Sequence, residues 1–207
     1  MKDGTLLVGD AGGTNVRFAL ARLTGGRVAL SDIWKRPGKD FKTFEAALDA
    51  YLKETGPDYA GASFGFAGVT GGPFVELLNR GWNVDLAAVK ARLGVDRLVA
   101  VNDFIAMARS APELTGSELR SISKGEADPR GSCAIGGPGT GFGVGLLRRI
   151  AAGWVVIGGE GGHQAFTPET DIEWKLAERL RRKLGYVSNE VVTAGMGFED
   201  TRDALFE

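Results

Sequence analysis

The sequence has very little of the chemistry that marks several common classes of protein. Its 207 residues include one cysteine, Cys133, and one histidine, His163. A single cysteine can neither form a disulfide within the chain nor build a cysteine-based metal site. No Gly-Lys-Ser or Gly-Lys-Thr tripeptide occurs, so the P-loop of many nucleotide-binding proteins is excluded as well.

An excess of one charge and a long apolar run are also missing. Lys and Arg total 25 while Asp and Glu total 26, which leaves a formal charge of -1. Nucleic-acid-binding domains usually carry a basic face, so we expect no nucleic-acid partner. The most apolar stretch, residues 133–147, is rich in glycine and too short to cross a bilayer. Because residues 1–25 show no signal-peptide pattern, we expect a cytoplasmic protein that is not bound to membranes.

Glycine, in contrast, is abundant, with 32 residues. The glycines gather beside apolar runs at residues 9–13, 65–72, 136–145 and 158–162. Clusters of this kind indicate backbone that turns tightly or approaches a ligand closely.

Apolar patterning predicts an α/β fold. In the first half, glycine turns join three predicted strands into an antiparallel meander, at residues 5–10, 16–23 and 27–34. A helix is predicted from Phe41 to Lys53, and Asp85 and Gly94 are suited to begin and end a second helix. Further strands are predicted at residues 60–67, in the centre of the sheet, and at residues 97–101.

The second half predicts a similar arrangement. Residues 133–136, 143–148 and 154–157 have the character of strands, and a second glycine turn joins the first two. Thr170 or Asp171 can begin a long helix, and Ser188 can begin another. The repeated hairpin with a glycine turn suggests two related halves with a cleft between them.

The first glycine turn could bind an anion. Its glycines would let successive backbone N–H groups point at one spot, and its polar side chains add donors. These residues are Gly12, Gly13, Thr14 and Asn15. Asp10 could hold a water on Mg²⁺. An ordinary hairpin turn is the alternative, whereas a dinucleotide-binding turn is excluded because residues 16–23 alternate like a strand.

The second glycine turn, residues 137–143, offers the Thr140 hydroxyl, and a hairpin is again the alternative. Asn102 and Asp103 follow a predicted strand, at the end that faces the crevice of an open α/β sheet. Asp103 could therefore accept a proton from a hydroxyl nucleophile. The alternative is that Asp103 caps the helix that follows.

The single histidine has an unusual setting. His163 lies three residues after Glu160 in a run with four glycines. A structural histidine is one interpretation. The other is that His163, Glu160 and Glu190 supply the donors and acceptors that a polyhydroxyl ligand needs.

Five segments, in this order, resemble the bacterial-type glucokinase family, within the superfamily of hexokinases, actin and Hsp70-type ATPases. They read LLVGDAGGTNVRFALAR, VNDF, GPGTGFGVGLL, GGEGGHQAF and SNEVVTAGMG. One glycine motif is weak, but five in order are highly specific, and they cover essentially the whole chain. The resemblance implies a ribonuclease-H-like, two-lobed α/β fold, with an N-terminal lobe at residues 1–108 and an incomplete second lobe at residues 109–207.

The resemblance also implies an activity, the ATP-dependent phosphorylation of glucose at its 6-hydroxyl, with ATP and Mg²⁺ as cofactors. Asp103 would be the general base. The sugar-binding residues would be Asn79, Asn102, Asp103, Glu160, His163 and Glu190. The first phosphate loop would consist of Asp10, Gly12, Gly13, Thr14 and Asn15, and the second of Gly139 and Thr140. Asp10 would hold the Mg²⁺ through water. Assembly into a homodimer is left open.

The chain departs from the family pattern in two places. Val69 stands where the family more often has proline, and the family's chain continues past the position of Glu207. Because that continuation carries the adenosine-binding segment, we expect residues 1–207 alone to bind ATP poorly and to phosphorylate glucose slowly.

Two other functions stay open at this point. One is a sugar-binding regulator without kinase activity, which would not need a base at Asp103. The other is an actin-like structural ATPase, which would not need the sugar cluster.

Overall fold

The computed structural model describes residues 4–77, 80–126, 128 and 130–206. The chain divides into two compact units, Met1–Met107 and Ala108–Glu207. Strands and helices occur in both units, so the predicted α/β class is confirmed. No helix among the described residues is long and apolar enough to cross a membrane.

The elements of the first unit follow the predicted order. They are β1 (Thr5–Ala11), β2 (Asn15–Thr24), β3 (Arg27–Pro37), α1 (Phe44–Thr55), β4 (Gly61–Phe66), β5 (Phe74–Leu77), β6 (Trp82–Asp85), α2 (Leu86–Leu93), β7 (Leu98–Asn102) and the start of α3 (Asp103–Ser110), whose last residues belong to the second unit. The hairpin of β5 and β6 is not among the predicted elements, because strands of four residues are too short to show a clear alternation.

The main sheet brings the ends of three strands to one edge. Its order is β3-β2-β1-β4-β7, with β1, β2 and β3 antiparallel and with β4 parallel to both β1 and β7. The interior position predicted for residues 60–67 is therefore confirmed. Ala11 is level with Phe66, and Phe66 is level with Asn102. The first glycine turn and the Asn102–Asp103 pair consequently lie at the same edge of the sheet, at the ends of the two strands that flank β4.

Helix α1 covers one face of this sheet and forms the core with it. Thr43 begins the helix by accepting a hydrogen bond from the N–H of Ala46 (3.1 Å). Phe44, Leu48 and Tyr51 are buried against aromatic side chains of the sheet, which include Phe18, Phe64 and Phe66. Each such side chain contributes roughly 1.5–3 kcal/mol by leaving water, so this packing fixes the strands that carry the site.

The second unit opens with a meander like that of the first. Its elements are β8 (Ser132–Pro138), β9 (Phe142–Ile150), β10 (Gly153–Gly159), α4 (Asp171–Leu184), α5 (Asn189–Thr193) and α6 (Phe198–Phe206). The three strands are antiparallel in the order β10-β9-β8. Leu176, Leu180, Val187 and Ala204 form a small core between α4 and α6. Like the β5–β6 hairpin, helix α6 was not predicted from the sequence patterning.

Candidate active site

The turn between β1 and β2 presents free backbone donors. The N–H of Gly12 donates to the Asn15 carbonyl (3.1 Å), and the N–H of Gly38 donates to the Thr14 carbonyl (3.0 Å). Within the described part of the chain, the N–H groups of Gly13 and Thr14 have no hydrogen-bond partner. Two successive free N–H groups are the elements of an anion-binding nest.

Neither backbone conformation nor packing requires the glycine at position 12. The φ angle of Gly12 is not positive, so the alternative of a hairpin with left-handed glycines does not describe it. A Cβ atom added there would lie 3.6 Å from the nearest atom, the Asn15 carbonyl oxygen, which is ordinary contact. Glycine at this position also leaves space for a ligand to approach the backbone closely.

Asp10 lies at the end of β1 and forms an ion pair with Arg17, its direct neighbour on β2. The pair engages Oδ2 of Asp10, whereas Oδ1 has no partner among the residues described. One free carboxylate oxygen fits a magnesium ion that keeps most of its water. An all-protein cage does not fit, since the described residues contain no group of three or more His, Cys, Asp or Glu that could hold a metal.

Asn102, at the end of β7, caps helix α3. Its Oδ1 accepts hydrogen bonds from the N–H groups of Phe104 (3.0 Å) and Ile105 (3.1 Å), and its Nδ2 donates to the Gly68 carbonyl (3.3 Å). The capping role considered for Asp103 thus belongs mainly to Asn102.

Asp103 is the first residue of α3, and its carboxyl group is partly buried. Burial raises the pKa of this carboxyl, the N–H of Phe104 lowers it through a 2.8 Å hydrogen bond to Oδ1, and the negative charge of Asp10 raises it further. The net effect is a raised pKa, so Asp103 binds a proton more strongly than an exposed aspartate does. This property is required of a general base.

The turn between β8 and β9 repeats the features of the first turn. The N–H groups of Gly195 and Met196 donate to the carbonyls of Gly139 (2.9 Å) and Thr140 (3.0 Å) and fix the turn from behind. In the described structure, the N–H groups of Thr140 and Gly141 have no partner. The second turn therefore also offers two successive free donors.

His163 lies between two carboxylates of the same unit. Its Nε2 is 3.6 Å from Oε2 of Glu160, and its Nδ1 is 3.7 Å from Oε1 of Glu190. Glu160 is 89% exposed, whereas Glu190 is only 14% exposed. The N–H of Phe142, directly after the second turn, donates to Oε2 of Glu190 (2.6 Å). Glu190 thereby connects the histidine cluster to the second turn.

The remaining predicted residue and one unpredicted residue lie between β5 and β6. Asn79 falls outside the described residues, and its role stays a prediction. Sequence reasoning missed Arg80, whose Nε donates to the Gly12 carbonyl (2.8 Å). No local pattern could reveal this contact, because it joins residues that are 68 positions apart.

Comparison with known proteins agrees with the motifs. The family model named Glucokinase matches residues 7–207. A glucokinase of Ralstonia nicotianae is 38% identical over 205 residues, covering 96% of this chain and 59% of the relative. A glucokinase of Cronobacter sakazakii is 36% identical over 199 residues, covering 96% and 61%. The crystal structure of a glucokinase from an Antarctic psychrotroph has a TM-score of 0.81 at 33% identity, covering 97% of this chain and 63% of that one.

The fold is thus the α/β fold of the two-lobed sugar kinases. The sequence matches define the group more narrowly: the chain belongs to the glucokinase family. It spans 57–61% of the length of the relatives it matches first.

Proposed function

We propose that the protein containing this chain transfers the γ-phosphoryl group of ATP to the 6-hydroxyl of glucose. The observation that carries the proposal lies at one edge of the five-stranded sheet. There, the first glycine turn follows β1 and the Asp103 carboxyl group, with its raised pKa, follows β7, the two strands that flank β4. Two N–H groups of that turn have no partner among the described residues. Family membership supports glucose and ATP as the substrates.

Phosphoryl transfer mainly requires positioning of the reactants and neutralisation of charge. The free N–H groups of the two glycine turns bind phosphate oxygens in this proposal, with Thr14, Asn15 and Thr140 adding side-chain donors. Mg²⁺, held by Asp10 through water, neutralises phosphate charge when it is bound.

Asp103 is the proposed general base. It accepts the proton of the 6-hydroxyl while that oxygen forms a bond to the γ-phosphorus. The bond from the γ-phosphorus to the bridging oxygen breaks, and ADP leaves with that oxygen. A carboxylate with a raised pKa is a stronger proton acceptor than an exposed one, which suits this step.

The sugar hydroxyls are the proposed ligands of Glu160, His163 and Glu190, together with Asn79 and Asn102. Glu190 uses Oε2 for the Phe142 N–H and keeps Oε1 for His163 and the sugar. The amide of Asn102 already makes hydrogen bonds within the chain through both of its polar atoms, so its contribution is the smaller one. A cytoplasmic location and a homodimer stay predictions.

Product analysis separates this function from the two alternatives. The full gene product is incubated with Mg-ATP and glucose and followed by phosphorus NMR. We expect glucose 6-phosphate and ADP in equal amounts, and no phosphorylated sugar from 6-deoxyglucose. Glucose binding without any phosphoryl transfer would instead indicate a regulator. ADP and inorganic phosphate formed at a rate independent of glucose would indicate an actin-like ATPase.

A further inference from the structure

Arg80 is held in a partly buried place directly behind the first glycine turn. Its Nε donates to the Gly12 carbonyl (2.8 Å), and its guanidinium carbon lies 5.0 Å from the ring centroid of Trp82. A Cβ atom added to Gly38 would overlap the guanidinium group. The side chain is therefore fixed on three sides, by a carbonyl, an aromatic ring and a glycine.

Stability alone does not account for this placement. Nη2 of Arg80 is buried and has no hydrogen-bond partner among the residues that the structure describes, and burial lowers the pKa of the guanidinium group. A buried donor without a partner costs free energy, and so does the desolvation of a cation. The placement therefore points to a benefit other than stability.

The contact with Gly12 fixes the direction of a phosphate-binding donor. The peptide unit between Gly12 and Gly13 is planar and trans, so its carbonyl and its N–H point in opposite directions. By holding the Gly12 carbonyl, Arg80 directs the free N–H of Gly13 away from itself. The N–H of Gly38 holds the Thr14 carbonyl in the same turn. Arg80 and Gly38 together form what we call the turn clamp.

We propose that Arg80 is a positioning residue, which holds the first glycine turn in the conformation that binds the phosphates of ATP. The inference rests on the proposed function of that turn. Arg80 itself does not touch the phosphates in this account. It acts through the Gly12–Gly13 peptide unit, and its loss leaves that unit free to rotate.

Arg80→Lys and Gly38→Ala test the clamp from its two sides. Lysine keeps the charge but lacks the planar Nε donor, and the alanine methyl group displaces the guanidinium. Arg36→Lys is the matched control, because Arg36 also lies over a tryptophan, at 4.9 Å from the Trp34 ring centroid, on the edge strand β3. The variants are made in the full gene product.

We expect both clamp variants to raise the KM for ATP about tenfold or more, since a hydrogen bond to a charged group is typically worth on that order. The affinity for glucose should stay within about twofold, and Arg36→Lys should behave like the wild type. A merely structural role would lower the melting temperature and the active fraction without changing the ratio of the two KM values. An unchanged KM for ATP in Arg80→Lys would overturn the proposal.

Calorimetric binding of a non-hydrolysable ATP analogue separates this inference from the proposed function. If the wild type binds the analogue but makes no glucose 6-phosphate, the proposed function fails. The clamp is still tested in that case, by comparing the dissociation constant of the analogue for the wild type with that for Arg80→Lys. If Arg80→Lys loses glucose binding as well, the affinity of Gly38→Ala for the analogue becomes the test of the clamp. Analogue binding by Gly38→Ala with wild-type affinity would then contradict the clamp.

Discussion

At the scale of single residues, Asp103 has a carboxyl group that is tuned by its surroundings. Burial and the charge of Asp10 raise its pKa, and the N–H of Phe104 only partly offsets them. The proton affinity of the proposed base is therefore set by the ends of β1 and β7, which the parallel pairing with β4 brings to one edge of the sheet.

The raised pKa predicts the acid side of the pH profile. As the pH falls, Asp103 should become protonated, and kcat/KM should decline, at a higher pH than an exposed aspartate would allow. Asp10→Asn removes a charge that raises the pKa of Asp103, so it should move this decline to lower pH. The measurement is the pH dependence of kcat/KM for glucose in both proteins. A shift to higher pH in Asp10→Asn would contradict the electrostatic account.

The same shift makes a prediction about stability. A carboxyl whose pKa is raised by folding contributes stability that is fully present below its unfolded pKa, about 3.9, and is lost as the pH rises through the folded value. Asp103→Asn should therefore unfold at a higher denaturant concentration than the wild type at pH 7. The difference in stability between Asp103→Asn and the wild type should become smaller at acid pH. Equal or lower stability of the variant at pH 7 would show that burial does not penalise this carboxylate.

His163→Ala tests the sugar cluster at the level of one side chain. It removes the imidazole that lies between Glu160 and Glu190. We expect the affinity for glucose to fall by on the order of tenfold, through loss of the proposed hydrogen bond from His163 to a sugar hydroxyl. Calorimetry with glucose and with an ATP analogue measures both affinities. Glu160→Gln should act in the same direction. Normal glucose binding with lost nucleotide binding would remove His163 from the sugar site.

At the scale of elements, each glycine turn has room for an added Cβ atom at one of its glycines, Gly12 or Gly139. A Cβ added to Gly139 would lie 3.8 Å from its nearest atom, the Gly141 carbonyl oxygen, so Gly139→Ala should fold normally. The methyl group should nevertheless obstruct a phosphate that approaches the turn. We expect an unchanged melting temperature and an increase of severalfold or more in the KM for ATP.

Gly4→Ala is the control for this substitution. Within the described structure, an added Cβ at Gly4 meets no atom within 4 Å, and Gly4 precedes β1 at the end remote from the turn. Gly4→Ala should change neither the melting temperature nor the KM for ATP. If Gly139→Ala leaves the KM for ATP at the value of the control, the second turn does not bind phosphate.

Local signals explain why most elements could be predicted from the sequence. Asp85 begins α2 by accepting hydrogen bonds from the N–H groups of Ala87 (2.9 Å) and Ala88 (3.1 Å), and Gly94 ends it at φ 63°. Thr170 begins α4 through a capping box with Glu173. These contacts join residues at most a few positions apart, so the sequence alone reveals them. For α6, the described residues show no side-chain cap, so this helix could not be predicted in this way.

At the scale of the whole chain, the contacts that build the site could not be predicted. Glu190 binds the N–H of Phe142 across 48 positions, and Arg80 binds the Gly12 carbonyl across 68. Such contacts depend on the packing of complete units and leave no periodic pattern. The family resemblance pointed to most residues of the candidate site, whose roles stay predictions, but it did not reveal Arg80.

The meander with a glycine turn occurs in both units. In each unit, the first two strands are joined by a glycine turn in which two N–H groups have no partner among the described residues. Such a turn needs no P-loop and no lysine to present donors. The lack of a Gly-Lys-Ser/Thr motif is therefore compatible with binding of a nucleoside triphosphate.

The central claim is tested most directly by the rate of glucose 6-phosphate formation in the wild type and in Asp103→Asn. Both are measured in the full gene product, with glucose affinity determined in parallel by calorimetry. Loss of a general base typically costs about 10²–10⁴-fold, so we expect turnover to fall by that factor while the dissociation constant of glucose stays within a few-fold. Near-normal turnover in Asp103→Asn would contradict the account.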